Sequence, residues 1–450
     1  MKSTATGRIA LAVTVTLTML LTACGAGSQE HPPYSDVTTL IYANLDESSI
    51  NREAIDKFNR NHENVQIEVR DYFEEDGRSS KDRLLTEILA GRIPDIIDLG
   101  QNYANLATVK LPYQILAAKG YLEDLWPYIE NDPELGREGV VEAPLKAAEV
   151  DGGLYVAFSS VKINTLAGAE QVVGSGYSWT LDELKEAFAS MPEGSSILEP
   201  SYKKSDMFMF LSPMLLDGYV DWETGRCTFD SEDFRSVLTF INSFPEQVEH
   251  YTEDMLADQA KRLTAGRQML ITENVSTPRC IQTIDTIFGG RGSIIGYPVE
   301  DGSAGSCFSL RGTQLAISSA CKNKEAAWEF VRQLLLPREN AETVSSIDFL
   351  PINRADFEWL VKYSRSKAMD TSFFRFGVNA PPIQLHKVTT EELTRYEDFI
   401  NSIDKIQLYD ETIYDIVREL SYLYFAGDRT LDETTQMIQN RVQLYVNENR

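Results

Sequence analysis

LLTEILAGRIPDIIDLG, residues 84–100, holds the decision about the fold. Leu84, Leu85, Ile88 and Leu89 recur at helical spacing, and Gly91 follows them as a stop signal. Pro94 bars a continued helix, and Ile96, Ile97 and Leu99 then read as a short buried strand. Upstream, VQIEVRDYF (65–73) alternates Val65, Ile67 and Val69, the period of a strand. SINREAIDKFNRNH (49–62) puts Ile50, Ile55 and Phe58 on one helical face, and VTTLIYA (37–43) reads as another buried strand. The order β-α-β-α-β is that of a parallel sheet covered by helices.

Downstream the alternation of elements continues. VDGGLYVAF (150–158) is a glycine-marked turn into a strand, and SWTLDELKEAFASM (178–191) opens a helix with a capping box, Thr180 with Glu183. FDSEDFRSVLTFINSF (229–244) aligns Phe234, Val237, Leu238 and Ile241. GRQMLITEN (266–274) and TQLAISS (313–319) read as strands, and NKEAAWEFVRQLLL (323–336) as a helix ended by Pro337. The C-terminal part is helical and carries a second capping box, Thr430 with Glu433. There is no internal repeat and no low-complexity block.

The amino terminus reads as an address. MKSTATGR (1–8) holds Lys2 and Arg8 and no acid, and Ile9 to Leu21 is apolar apart from Thr. A cationic start and a short apolar run describe a secretory signal peptide, residues 1–23. The run of about 13 residues is shorter than the ~20 that span a bilayer as a stable helix. Leu21-Thr22-Ala23-Cys24-Gly25 resembles the lipobox of bacterial lipoproteins, which implies acylation of the Cys24 sulfur and cleavage just before it. The other reading is an ordinary signal peptide with an incidental cysteine. Residues 24–36 have no apolar periodicity and read as a flexible tether.

Composition is that of an ordinary soluble protein of two or three domains. The 450 residues include 42 basic and 68 acidic ones, a net charge of −26. Loss of the signal peptide removes two bases and no acid, taking the mature chain to −28. Such a surface repels nucleic acid and anionic headgroups, so the expected membrane link is lipid. One acyl chain alone binds marginally, and firm anchoring needs more than one. Four cysteines remain, Cys227, Cys280, Cys307 and Cys321. Export permits disulfides in any of three pairings, and four unpaired thiols are the alternative. The four histidines are scattered, and no CxxC, HExxH, EF-hand loop or P-loop occurs, so neither a metal site nor a cofactor is expected.

An ordered set of blocks carries a family resemblance. LLTEILAGRIPDIIDL, GYLEDLWPYI, DGGLYVAF, YSWTLDELKEAF, AGRQMLITEN, GYPVEDG, TQLAISSACKNKEAAWEFVRQLL and FLPINR together resemble the extracellular solute-binding proteins of bacterial ABC importers. The closest group is the carbohydrate-type one (family 1) that includes maltodextrin-binding protein, and the resemblance runs from about residue 37 to the C-terminus. It implies an α/β, two-lobed periplasmic-binding-protein-like fold of type II, with a hinge crossed more than once and a ligand cleft between the lobes. On that template residues 37–155 and 311–352 form one lobe, and 158–306 and 355–450 the other. The crossings fall near Tyr155–Phe158 and Cys307–Gly312. The implied role is that of a monomeric, lipid-anchored receptor on the extracellular face of the cell membrane. It would bind a solute, a mono- or oligosaccharide, and deliver it to a permease without catalysis.

A physical rule places the site independently. In open parallel sheets, ligands bind beyond the carboxyl ends of the strands. Those positions hold Asn44, Asp46 and Glu47 after the first strand, and Gln101, Asn102 and Tyr103 after the third. In the second lobe they hold Ser159, Ser160, Glu273, Asn274 and Thr277. Amides and hydroxyls both donate and accept, as sugar hydroxyls require, and an aromatic ring stacks on a sugar's apolar face. Asp46 and Glu47 serve equally well as acids at a helix N-terminus, and Asn102 as a helix cap. Trp179 and Trp328 read as core, Trp222 as turn packing, and Trp126 as either core or platform. Two other functions share these features. A secreted glycoside hydrolase needs two carboxylates ~5–10 Å apart, and a sensory lipoprotein feeding a kinase would share fold and cleft.

Overall fold

The computed structural model describes residues 37–45, 52–72, 80–101, 113–199, 201–221, 224–247, 259, 261–299, 302–338, 349–368, 372–375, 382–407 and 410–449. Its opening β-α-β-α-β unit forms as the periodicity predicts. β1 (Thr38–Asn44) lies parallel to β2 (Val65–Asp71) on one side and to β3 (Ile96–Gln101) on the other. The intervening helices, Arg52–Asn61 and Ser80–Leu89, bury Ile55, Phe58, Leu84 and Ile88. Gly91, at φ 76°, ends the second helix. Its N–H donates to the Ile88 carbonyl and the Arg92 N–H donates to that of Glu87, both at 2.9 Å, the paired bonds of a Schellman cap. Ile50, expected on the first helix's apolar face, lies outside the described residues.

Among the described residues nine further strands follow later in the chain, and those that join this unit do so antiparallel. They are β4 (Ala157–Ala169), β5 (Val220–Asp221), β6 (Arg226–Cys227), β7 (Leu270–Asn274), β8 (Gly292–Ile294), β9 (Cys307–Ile317), β10 (Leu350–Pro351), β11 (Phe373–Arg375) and β12 (Pro382–Gln384). One sheet runs β10-β4-β9-β3-β1-β2, with β7 and β8 paired to the far end of β4. β5 with β6 and β11 with β12 make separate two-stranded pairs. β9 joins the two regions, pairing with β3 through Thr313–Ile317 and with β4 along most of its length.

Two apolar cores flank this shared sheet. The first gathers Leu40, Ile96, Ile97, Ala316, Ile317 and Val331, and continues past Val161, Phe308 and Leu310 to Ile284 and Phe399. The second gathers Trp179, Phe208, Phe229, Leu238, Val417 and Ile438. β4 and β9 contribute to both: Val161 and Ile163 to the first, Leu166 and Cys307 to the second. Between Phe158 and Ser160 the β4–β9 register shifts. Gly312 stands there at φ 72°, and a Cβ on it would lie 3.5 Å from Ser159 Oγ. The irregularity interrupts the ladder where three segments run abreast, because β10 also pairs with β4 at Ser160 and Val161.

The aromatic and sulfur side chains settle into structural roles. The indole N–H of Trp179 donates to the Gly296 carbonyl at 2.8 Å, that of Trp328 to Asp132 at 3.2 Å and that of Trp126 to Glu149 at 2.8 Å. All three rings are buried, so Trp126 joins the core rather than offering a platform. Trp222 lies outside the described residues. Cys227, Cys280, Cys307 and Cys321 are free thiols, which decides the open question about their pairing.

Candidate ligand-binding cleft

The β4–β9 ribbon has two unlike faces. Directly paired residues share a face, and faces alternate along each strand. Val161 pairs with Leu310 and Ile163 with Phe308, and this face packs into the first core. The alternate positions pair Ser160 with Arg311, Lys162 with Ser309 and Asn164 with Cys307. Five of these six side chains are polar, although the face is well covered: Ser160 is 3 % exposed and Ser309 5 %, while Lys162, Asn164 and Arg311 are half-buried. The stripe widens at one end, where Asn164 also pairs with Asn274 of β7 and donates to Gln407 Oε1 at 2.9 Å. Asn274 Oδ1 accepts from the Ile163 N–H at 3.3 Å and from the Ser276 hydroxyl at 2.5 Å.

Charge sets the character of this floor. Lys162 and Arg311 are diagonal neighbours across the strand pair, a separation of ~7–8 Å at which two cations repel by roughly 2 kcal/mol at an effective dielectric of ~20. Burial lowers the Lys162 pKa and the Arg311 charge lowers it further, while Glu273 acts in the opposite direction. Burial lowers Arg311 as well. Glu273, on β7 in register with Thr165, is pushed up to about 7 by burial, against the Asn274 N–H and Lys162, which favour its ionised form. The Arg311 guanidinium sits 5.0 Å from the centre of the Phe349 ring. Its Nε is buried without a hydrogen-bond partner among the described residues.

The residues expected at the site fall into four groups. Ser159 and Ser160 sit at the register shift of the ribbon, whereas Glu273 and Asn274 lie further along β4, opposite Thr165 and Asn164. Asn44 and Thr277 are drawn into buried bonds instead. Asn44 is fully covered and donates to Asp71 Oδ1 at 2.7 Å, tying the ends of β1 and β2. Thr277 meets Cys280 Sγ at 3.7 Å at the entry to the helix Arg279–Ile287. Gln101 closes β3 in register with Thr313. Asp46, Glu47, Asn102 and Tyr103 lie outside the described residues. Lys162 and Arg311 escaped the sequence reading. Their signal was the strict alternation in SSVKIN (159–164) and CFSLRG (307–312), where each apolar residue is flanked by polar ones.

A groove of about 630 Å3 opens elsewhere, lined among others by Glu142, Lys146, Arg354, Phe357, Ile400 and Asp404. Phe357 and Ile400 belong to the first core. Its lysine is held by Glu142 at 2.6 Å. The polar face is the better candidate for a solute, because it gathers hydroxyl, amide and cationic groups on adjacent strands. Among the described residues there is no group of three or more His, Cys, Asp or Glu that could hold a metal ion. Nor is any helix among them long and apolar enough to cross a membrane.

This arrangement of a shared sheet, two cores and a polar floor has relatives. The family model of the bacterial extracellular solute-binding proteins matches residues 53–369, and the chain belongs to that family. Similar solved structures include a periplasmic oligogalacturonide-binding protein from Yersinia enterocolitica, at 15 % identity and a TM-score of 0.50, covering 92 % of this chain and 100 % of that one. The sugar-binding protein MalE from Xanthomonas citri follows at 15 % identity and a TM-score of 0.49, covering 91 % and 98 %. At 15 % identity the likeness to the oligogalacturonide-binding protein bears on the fold alone. Comparison with curated proteins gave no match.

Proposed function

We propose that the chain is the solute receptor of an ABC importer, a non-enzymatic protein that takes up a carbohydrate between two lobes and presents it to a permease. The observation that carries this reading is the half-buried polar face of the β4–β9 ribbon, on strands that contribute to two cores. We divide the lobes at 37–155 with 311–352 and 158–306 with 355–450. The pairing of β4, β9 and β10 side by side supports hinge crossings there. Hydroxyls and amides from Ser159, Ser160, Asn164 and Ser309 suit sugar hydroxyls. Loops after β1 and β3, with Asp46, Glu47, Gln101, Asn102 and Tyr103, are assigned to the opposite wall. The lipobox supports anchoring at Cys24 on the outer face of the membrane.

The test is a thermal-shift screen of the mature protein against mono- and oligosaccharides. A ligand at 100 times its Kd adds ~2.7 kcal/mol, which raises the melting point of a chain this long by a few degrees. A panel without any shift would remove the carbohydrate reading. Anchoring is checked separately, by fractionating cells that express the wild type or Cys24→Ala. The wild type is expected in the membrane fraction with an acylated N-terminal peptide, and the variant without acyl mass. A soluble, unacylated wild type overturns the anchor.

A further inference from the structure

Resting on the carbohydrate reading of the same cleft, we propose that the solute is acidic, a saccharide bearing carboxylates, and that Arg311 and Lys162 bind one of them. Three observations lead there. First, the floor places two cations on one face of one strand pair, diagonal to each other, in a chain whose net charge is −26. A fold with 68 acids has ample means of pairing a structural arginine, yet among the described residues no carboxylate forms an ion pair with Arg311. Second, the guanidinium rests over the Phe349 ring. A cation–ring contact of this kind uses none of the guanidinium N–H groups, which remain donors for a carboxylate. Its Nε–H is already buried and without an acceptor. Third, Ser160 and Ser309 lie directly opposite the two cations and supply hydroxyls for the neighbouring sugar oxygens.

Among the described residues Glu273 acts on Lys162, and it does not undo this argument. Burial holds its pKa near 7, so around neutrality it is only partly ionised, and Lys162 is the cation that acts on it. The acidic outer surface does not bar an anion either, since charges more than ~8 Å away are largely screened at physiological salt. Once inside, the solute meets the two cations at short range and in a less polar setting.

Calorimetry on the mature protein distinguishes charge from shape. The probes are uronate oligosaccharides and the same oligosaccharides with every carboxylate methyl-esterified. The acid forms are expected to bind at least tenfold more tightly than their esters, with the gap shrinking as salt rises. Arg311→Gln should weaken the acid forms by roughly ten- to a hundredfold, the range for a hydrogen bond to a charged group, and leave ester and acid nearly equal. Lys162→Gln gives the same reading by a second route should the first variant fold poorly, as judged by circular dichroism. Neutral saccharides or esters that bind as tightly as the acids overturn this proposal and leave the carbohydrate reading standing. Failure of every saccharide, charged or neutral, overturns both.

Discussion

Glu273 shows how a single side chain couples the cleft to pH. Its carboxyl is raised from 4.5 to about 7, first by burial. The folded state therefore holds a proton that the unfolded chain has released throughout that interval. Stability is greatest below the unfolded pKa and falls as pH rises through the folded one. A shift of this size corresponds to about 3 kcal/mol across the window. Glu273→Gln, which keeps the shape and removes the titration, should flatten the dependence between about pH 4.5 and 7. Above pH 7 the variant is expected to be the more stable of the two. Denaturant midpoints measured across that range decide it, and parallel curves for both proteins would show that Glu273 is not held in its protonated form. Lys162 responds in turn, because ionised Glu273 favours its charged form.

Elements whose partners are close in sequence were the legible ones. The apolar periods of residues 37–100 lead directly to β1, β2, β3 and their two helices, and Gly91 stops the second helix by a backbone conformation only glycine takes readily. The capping box at Thr180 forms in both directions, with Glu183 N–H donating to Thr180 Oγ1 at 3.1 Å and Thr180 N–H donating to Glu183 Oε2 at 2.7 Å. The box at Thr430 forms likewise, and Thr389 with Glu392 makes a third from the same pattern. The pairing of β4 with β9 was not legible. Asn164 and Cys307 meet across a long stretch of chain, and nothing local to either strand names the other. That is why the site was sought at strand ends and not on a strand face. Lys162 and Arg311, read one at a time, are charges on an exposed edge. Only the pairing shows that they stand together, on a face that is polar and yet covered. Asn44 illustrates the opposite error: a polar residue at a strand's carboxyl end, covered and bound to Asp71 of the neighbouring edge strand.

At the scale of the molecule, the register shift at Ser159 and Gly312 is the natural place for motion. A bulge leaves a residue outside the ladder and bends its strand, and here it falls where β4, β9 and β10 run abreast. The long strands on either side are held by further pairing, β4 to β7 and β8 at one end and β9 to β3 at the other, the latter with a register shift of its own between Asp98 and Gln101. Bending is therefore concentrated in a few residues, the pattern of hinge closure around a ligand. Gly312 takes its positive φ without penalty, whereas an L side chain there would carry about 1–2 kcal/mol of strain. Small-angle scattering should show a smaller radius of gyration for the mature protein at saturating ligand than without it. The closed form should approach the ~22 Å of a compact chain of this length. A profile unchanged by saturating ligand would mean that the solute enters a preformed site. On the proposed role, the signal to a permease would then have to come from the bound solute itself, because lobe movement would not distinguish the loaded protein from the empty one.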